Sequence, residues 1–293
     1  MTGQRAVLVT GASSGMGRAC VERLSADGFL VFAGVRKERD VRAIQDRGAP
    51  RQVPVLLDLT EPGTVAGALR TIEEAVGGSG LAGLVNNAGI AVTGPLELLP
   101  VAELRRQFEV NVFGQIALTR SCLPLLRAAR GRIVNVGSVG ARVPLPFAGP
   151  LNASKAAFES LSDSLRMELQ PWGIRVVLVS PGSIRTAAEA KLVANAEETV
   201  NGFSPEGKAL YASAYRAFVR GLLEVESHGV GPEVVATTVH RALTTRVPRR
   251  RYPVGPNARL LPLVFGALPA GVADALRLRI FHLDHRRAST AGR

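Results

Sequence analysis

Residues 6–17 of the chain read AVLVTGASSGMG, and this stretch decides the fold. Its first five residues have the apolar and β-branched composition of a strand that is buried on both faces. A glycine-rich turn follows, and residues 17–26 then show the spacing of an amphipathic helix. This order brings backbone amides and a helix N-terminus to one point, which suits a pyrophosphate. The sequence therefore predicts a nucleotide-binding turn that consists of Gly11, Ser13, Ser14, Gly15, Met16 and Gly17.

The alternation of short apolar runs and amphipathic segments continues along the chain. Further strands are predicted at residues 30–35, 53–57, 84–86, 132–136 and 175–179, and further helices at 64–76, 101–127 and 154–169. Such alternation is typical of βαβ units with right-handed crossovers and a parallel sheet. We predict an α/β fold, a Rossmann-type doubly wound parallel sheet in a single domain with a C-terminal extension.

The end of the second predicted strand indicates which dinucleotide binds. An NAD site usually carries an acid there, which binds the ribose hydroxyls. Gly34 stands where that acid would be expected, and Arg36 and Lys37 follow it. A guanidinium pairs well with a phosphate, so this end of the strand favours NADP(H). The alternative is an ordinary solvated arginine at the end of a strand.

The charge of the chain lies mainly in its last part. The net charge is +12 over 293 residues, and the 11 arginines and two aspartates of residues 241–293 account for +9 of it. Only 5% of the residues are aromatic, too few for the stacking surface that usually accompanies a nucleic-acid groove. We expect no nucleic-acid partner. The basic run at residues 246–251 is interpreted as a solvated loop, with an anionic membrane or a partner as the alternative.

Cysteine usage, histidine spacing and hydropathy limit the remaining classes. Two cysteines exclude a disulfide framework, and no cluster has metal-ligand spacing, so no metal is expected. The first residues lack the layout of a signal peptide. The most apolar late stretch, residues 260–280, is interrupted by Pro262, Pro269, Asp274, Arg277 and Arg279. We predict no transmembrane segment and a cytoplasmic location.

Several short motifs follow one another along the chain. They are Thr10-Gly11-x-x-x-Gly15-x-Gly17, Asp58-Leu59, Asn86-Asn87-Ala88-Gly89, Asn111, Ser138 and the segment 181–186, which reads PGSIRT. In this order the motifs resemble those of the short-chain dehydrogenase/reductase family, over about residues 4–186. The strand that reads VFAGVRK and the long C-terminal part resemble its steroid- and retinol-dehydrogenase-like branch.

The resemblance assigns roles to individual residues. It implies an NADP cofactor that is contacted by Asp58 and Leu59 at the adenine, by Asn87, Ala88, Gly89 and Lys155, and by Pro181, Gly182, Ile184 and Thr186 near the nicotinamide. It implies an active site with Asn111, Ser138 and Lys155. The resemblance further implies that the helices at 101–127 and 154–169 pair with another subunit, which gives a homodimer or a homotetramer.

One residue departs from the family pattern. The family carries Tyr-x-x-x-Lys about 13 residues after the serine, and here Lys155 is present while the tyrosine position is Leu151. The tyrosine phenol exchanges a proton with the substrate oxygen, and the neighbouring lysine lowers its pKa. Leucine has no such proton. Loss of a positioned acid or base typically slows a reaction by ~10²–10⁴-fold.

Three functions remain compatible with Leu151. The first is an NADP(H)-dependent oxidoreductase acting on a carbonyl, imine or activated alkene, with non-standard proton delivery from Lys155 or a water that it holds. The second is a non-redox enzyme, such as a dehydratase, isomerase or cyclase. The third is a pseudoenzyme or inactivated variant that binds NADP(H) without turnover. The intact cofactor motifs favour the first.

A lid and a substrate class complete the prediction. Residues of about 187–228 are expected to cover the pocket, and its apolar side chains predict an apolar small-molecule substrate. The apolar set is Phe203, Phe218, Leu222 and Leu223, and Tyr211 and Tyr215 are expected to pack the lid onto the body, or one of them to reach inward. The catalytic domain is placed at 1–245, lid included, and a basic extension that packs on it at 246–293.

Overall fold

The computed structural model describes residues 5–185 and 189–283, with the backbone alone for 189–193, and these residues contain seven strands. The strands are β1 (Ala6–Thr10), β2 (Leu30–Val35), β3 (Gln52–Leu56), β4 (Gly83–Asn86), β5 (Arg132–Val136), β6 (Arg175–Pro181) and β7 (Arg251–Val254). All neighbouring pairs are parallel, in the order β3-β2-β1-β4-β5-β6-β7. The order reverses direction at β1, and ligands of doubly wound folds bind beside such a point, at the carboxyl ends of the strands.

Helices cover both faces of this sheet. They are α1 (Gly15–Ala26), α2 (Glu38–Asp46), α3 (Pro62–Val76), α4 (Val101–Phe108), α5 (Gln115–Ala129), α6 (Gly149–Glu168), α7 (Glu189–Asn201), α8 (Pro205–Ser227), α9 (Pro232–Thr244), α10 (Leu260–Ala267) and α11 (Ala270–Ile280). One core layer joins the sheet to α1 and α9, and a second joins it to α3 and α5. The doubly wound α/β fold predicted from the sequence is therefore confirmed.

The predicted elements are present, with small differences at their ends. The long helix predicted at 101–127 is interrupted by a π-helical turn, Glu109–Gly114, which separates α4 from α5. The helix predicted at 154–169 begins five residues earlier, at Gly149. Leu151 and Lys155 consequently lie one turn apart on the same helix, as their spacing predicts.

Strand β7 was not predicted from the sequence. It pairs with β6 through Leu178 and Arg251 at one end and Pro181 and Val254 at the other. The strand has four residues, one of them Pro253, and lacks the apolar run that marks the central strands. An edge strand tolerates proline because one side of it forms no ladder. The segment predicted as an extension at 246–293 therefore contributes a strand to the sheet of the same domain.

Candidate cofactor and active site

The glycine-rich turn after β1 is closed by three glycines for two different reasons. Gly11 and Gly15 have φ of 66° and 53°, values that side-chain-bearing residues rarely adopt. A Cβ on Gly17 would instead overlap the carbonyl oxygen of Gly11. The turn therefore folds back on the first turn of α1 and leaves backbone amides close to the point where a pyrophosphate would lie.

Hydrogen bonds join the end of β4 to this turn. The hydroxyl oxygen of Thr10 accepts from the backbone amides of Asn87 and Ala88, both at 2.9 Å. The side-chain amide of Asn87 donates to the carbonyl of Thr10 at 2.9 Å and to that of Gly11 at 3.3 Å. The predicted cofactor residues after β4 thus lie directly beside the glycine turn.

Arg36 and Lys37 are exposed and follow β2, the neighbour of β1 in the sheet. Gly34 pairs with Thr10, so both strands end at the same edge. A Cβ on Gly34 would lie 2.8 Å from Cδ2 of Leu57. An acidic side chain at position 34 would therefore have to displace the buried side chain of Leu57. The charged groups that follow β2 are the cations Arg36 and Lys37.

Asp58 and Leu59 follow β3 at the same edge. One carboxylate oxygen of Asp58 accepts from the amide of Thr60 at 3.0 Å and from its hydroxyl at 2.7 Å. Leu59 is buried, and a Cβ on Gly114 would lie 2.8 Å from its Cβ. The two residues lie at the sheet edge where β2 also ends, and their contact with adenine stays a prediction.

Asn111 lies buried in the π-helical turn between α4 and α5. Its side chain bonds the backbone of Ile90 twice, accepting from the amide at 2.8 Å and donating to the carbonyl at 3.0 Å. Single π-helical turns inside helices often occur at functional sites. Here the turn points the amide of Asn111 at Ile90, in the loop that follows β4.

Lys155 reaches from α6 to the end of β5. Its Nζ donates to the carbonyl of Val136 at 2.8 Å. Burial lowers the pKa of Lys155 to about 8, and the negative charge of Glu159 opposes this by raising it. The ammonium form prevails at neutral pH, yet its proton can be released within the ordinary working range of an enzyme.

Ser138 caps the short 3₁₀ turn Val139–Ala141 that follows β5. Its hydroxyl oxygen accepts from the amide of Gly140 at 3.0 Å. A serine hydroxyl has one donor and two acceptor sites, so this cap leaves the hydroxyl proton for another partner. Ser138 can serve as a cap and also bond a substrate oxygen.

Leu151 is half-buried, one turn before Lys155 on α6. Each of the three tyrosines of the chain has a hydrogen-bond partner outside this helix. The hydroxyl of Tyr215 is 2.7 Å from that of Thr93, Tyr252 accepts from the amide of Arg249 at 3.0 Å, and Tyr211 donates to the carboxylate of Glu97. The bond to Glu97 also raises the pKa of Tyr211, which disfavours proton release.

Helix α8 of the predicted lid packs into a hydrophobic cluster separate from the two core layers of the sheet. Tyr215 and Phe218 are fully buried and stack with ring centroids 6.2 Å apart. Phe147, in the loop before α6, contacts both rings. Packing by Tyr215 is confirmed, whereas Tyr211 lies at the surface on the bond to Glu97. Phe203, Leu222 and Leu223 of the predicted apolar wall pack against this cluster, which joins α8 to the loop before α6.

The segment after β6 lies at the same edge of the sheet. Pro181 ends the strand, Gly182 donates to the carbonyl of Val254 at 2.9 Å, and Ile184 forms a bridge with Val230. The predicted nicotinamide residue Thr186 lies outside the described residues. The predicted cofactor residues within the described part of the chain are thus gathered along one edge.

Sequence reasoning missed two charged residues of this region, Glu159 and Arg251. Glu159 is buried on α6 and accepts from the backbone amide of Ser138 at 3.4 Å, and Arg251 of β7 forms an ion pair with it. The i, i+4 spacing from Lys155 to Glu159 was a usable signal. Nothing local to Arg251 distinguishes it from the two arginines before it.

Residues 5–185 and 189–283 hold no group of three or more His, Cys, Asp or Glu that could bind a metal ion. Burial raises the pKa of both Cys20 and Cys122 to about 12, so they remain thiols. Across the same described ranges, no helix combines the length and apolarity needed to cross a membrane.

Comparison with known proteins identifies the class. The short chain dehydrogenase family profile matches residues 5–197. The NADPH-dependent 3-dehydrocapnine reductase of Ornithobacterium rhinotracheale is 34% identical over 97% of this chain and 98% of that protein. Human retinol dehydrogenase 16 is 37% identical over 92% and 86%. A solved short chain dehydrogenase from Burkholderia cenocepacia J2315, in complex with NADP, superposes with a TM-score of 0.69 at 28% identity, over 95% and 98%.

A doubly wound parallel sheet with a glycine-rich turn at the point where the strand order reverses defines a dinucleotide-binding class of fold. The chain belongs to the short chain dehydrogenase family. Its similarity to human retinol dehydrogenase 16 confirms the predicted resemblance to the steroid- and retinol-dehydrogenase-like branch.

Replacing Gly17 with alanine is expected to abolish dinucleotide binding, because the new Cβ would overlap the Gly11 carbonyl and open the turn. Fluorescence titration with NADPH measures this loss. Gly67→Ala on α3 is the matched control, since its nearest neighbour atom would lie 3.8 Å away. Unchanged NADPH affinity in Gly17→Ala would contradict the assignment of the turn.

Proposed function

We propose that the protein is an NADP(H)-dependent oxidoreductase acting on an apolar carbonyl, imine or activated alkene, without a tyrosine proton donor. The observation that carries this proposal is the pairing of a complete glycine turn with Lys155, while Leu151 stands one turn before that lysine. The motifs expected to bind the cofactor are intact, whereas the tyrosine that would donate the proton is replaced by Leu151. Family membership supports the oxidoreductase class.

The choice of NADP(H) rests on the end of β2. Arg36 and Lys37 are exposed at the edge where β1 turns into α1, and no acid precedes them. The names of the dehydrocapnine reductase and of the Burkholderia structure, which mention NADPH and NADP, support the same choice. The residues expected to hold the cofactor are those of the glycine turn, with Arg36, Asn87, Ala88 and Lys155. When bound, the reduced cofactor supplies a hydride.

Lys155 is proposed as the proton source for a carbonyl substrate. As the carbonyl carbon gains a hydride, its oxygen becomes an alkoxide that needs one proton. The Lys155 ammonium, with a pKa of about 8, gives that proton and regains it from water. Ser138 holds the oxygen by a hydrogen bond. An iminium carbon that accepts hydride needs no proton at all, which makes such substrates especially compatible with Leu151.

Leu151 also supports a second candidate, a protein that binds NADP(H) without redox turnover. A side chain without a hydroxyl group at this position lacks the phenol on which alcohol–ketone exchange by the family depends. The two candidates are distinguished by following NADPH absorbance with ketones, imines and enones. Oxidation with any class supports the oxidoreductase, and its absence with every class favours binding alone or non-redox chemistry.

A homodimer or homotetramer remains part of the proposal. Phe113 in the π-helical turn and Leu161 and Met167 on α6 are 58%, 40% and 58% exposed. Exposed apolar side chains that cluster on neighbouring helices often mark subunit contacts. They support the pairing of these helices with a second copy.

Arg36→Gln is expected to weaken NADPH binding by ~10–100-fold and to leave NADH binding unchanged. The reason is the loss of a charge-assisted hydrogen bond, which contributes about 1.5–3 kcal/mol. Fluorescence titration with both nucleotides measures the effect. Arg39→Gln, an exposed arginine on the next helix, is the control. Equal affinity of the unaltered protein for NADPH and NADH would refute the assignment.

Leu151→Tyr is expected to raise ketone reduction by up to ~10²–10⁴-fold, because it restores a phenol one turn from Lys155. Steady-state rates over a panel of ketones measure the gain. Leu151→Phe introduces the ring without the hydroxyl and is the matched control. If both variants stay at the same background rate, position 151 is not the place from which this pocket can protonate a substrate.

The rate of carbonyl reduction is expected to fall as pH rises through about 8, the pKa of Lys155. Below that pH the ammonium is protonated and can donate; above it the neutral amine cannot. The log of kcat/KM against pH should decline with unit slope. Lys155→Arg keeps the cation but holds its proton, so it should be slow at every pH. A flat profile from pH 7 to 10 would exclude Lys155 as the donor.

A further inference from the structure

Two side chains on one face of α6 form hydrogen bonds with the backbone at the end of β5. Lys155 donates to the carbonyl of Val136 at 2.8 Å, and Glu159, one turn later, accepts from the amide of Ser138 at 3.4 Å. A Cβ on the intervening Gly137 would overlap the Glu159 carboxylate. The glycine therefore lets the carboxylate approach the backbone that carries Ser138.

The Glu159 carboxylate is buried, with 6% of the side chain exposed. One oxygen accepts from the hydroxyl of Ser180 at 3.2 Å, and the other pairs with the guanidinium of Arg251. Arg142, in the loop after the 3₁₀ turn, has its Nε 4.0 Å from the same oxygen. A buried carboxylate is costly unless it is paired and hydrogen-bonded, and both conditions are met here.

Arg251 comes from β7, and β6 lies between this strand and β5, after which Ser138 follows. Its guanidinium also lies 3.2 Å from the Ser180 hydroxyl and 3.9 Å from the carboxylate of Asp163. Its side chain is 23% exposed. The arginine thus reaches across the edge of the sheet to α6 and links β7, β6 and the helix of Lys155.

We propose that Glu159, held by Arg251, is a positioning residue that orients Ser138 and keeps Lys155 in its cationic form. This rests on the proposed role of Lys155 as a proton donor. The charged groups that face the cluster in the described residues are Glu159 and Asp163 from α6, Arg251 from β7 and Arg142 from the loop after β5. Of these, Glu159 is the one whose charge acts on Lys155.

The physical effect on Lys155 is a balance of two opposed influences. Burial favours the neutral amine, and the Glu159 charge favours the ammonium. Removing that charge leaves burial alone, so less ammonium is present at neutral pH. If Glu159 had only a structural role, its removal would destabilise the protein without changing the pKa of Lys155.

The decisive variant is Glu159→Gln, which keeps the shape and removes the charge. The chain has four lysines, so ¹³C labelling of lysine gives four side-chain signals, and Lys155→Met assigns the relevant one. The Lys155 midpoint is expected to fall by roughly one pH unit. Asp163→Asn, which removes the neighbouring and more exposed acid, should leave it in place. An unchanged midpoint in Glu159→Gln would overturn the proposal.

This measurement requires no turnover, so it stands apart from the proposed reaction. If the unaltered protein oxidises NADPH, the falling limb of its pH–rate profile should shift to lower pH in Glu159→Gln. If it shows no redox activity, the proposed function fails while the titration still tests the positioning role.

Arg251 is tested by a pair of variants. Arg251→Met removes the closest counter-ion of a buried carboxylate, with Arg142 left 4.0 Å away, and is expected to lower the melting temperature. The double variant Glu159→Gln/Arg251→Met removes both charges and should recover stability while keeping the lowered Lys155 midpoint. Arg250→Gln, an exposed neighbour, is the control. Thermal stability of Arg251→Met equal to that of the unaltered protein would overturn the role of Arg251.

Discussion

The site depends on how closely the first turn of α1 approaches the end of β1. No side chain fits between Gly17 and the carbonyl of Gly11, and Thr10 is bonded from the other side by the residues after β4. This close contact sets the height of α1 above the sheet. It also places β1 and β4, the two strands at the switch in strand order, where their ends can share one ligand.

The helix α6 is the second organising element. It carries Leu151, Lys155 and Glu159 at successive turns, so a single helix face bears an inert group, a cation and a buried anion. The cation and the anion both bond the backbone at the end of β5. The chemistry of the site is therefore coupled to the register between this helix and one strand, and a slip of that helix would disturb every group together.

Much of this arrangement was predictable from the sequence, for clear physical reasons. Buried parallel strands are nearly continuous apolar runs, and the glycine turn has conformations that few other residues adopt, so both leave signals in the chain. Strand β7 leaves none, because an edge strand can contain Pro253 and flanking arginines. The π-helical turn at Asn111 was equally hidden, since its hydrogen bonds run to the backbone of a distant loop. Burial of Glu159 depends on the same kind of distant partner, Arg251.

Strand β7 gives one arginine of the arginine-rich end of the chain a role inside the fold. Most of the arginines in the described part of that end are exposed, but Arg251 is partly buried and is the counter-ion of Glu159, a buried group on α6. The edge of the sheet and the centre of the site therefore share one electrostatic element. Under the roles proposed for Lys155 and Glu159, divergence of the C-terminal part among related proteins, or its truncation before residue 251, would change proton transfer in the pocket as well as the outer surface.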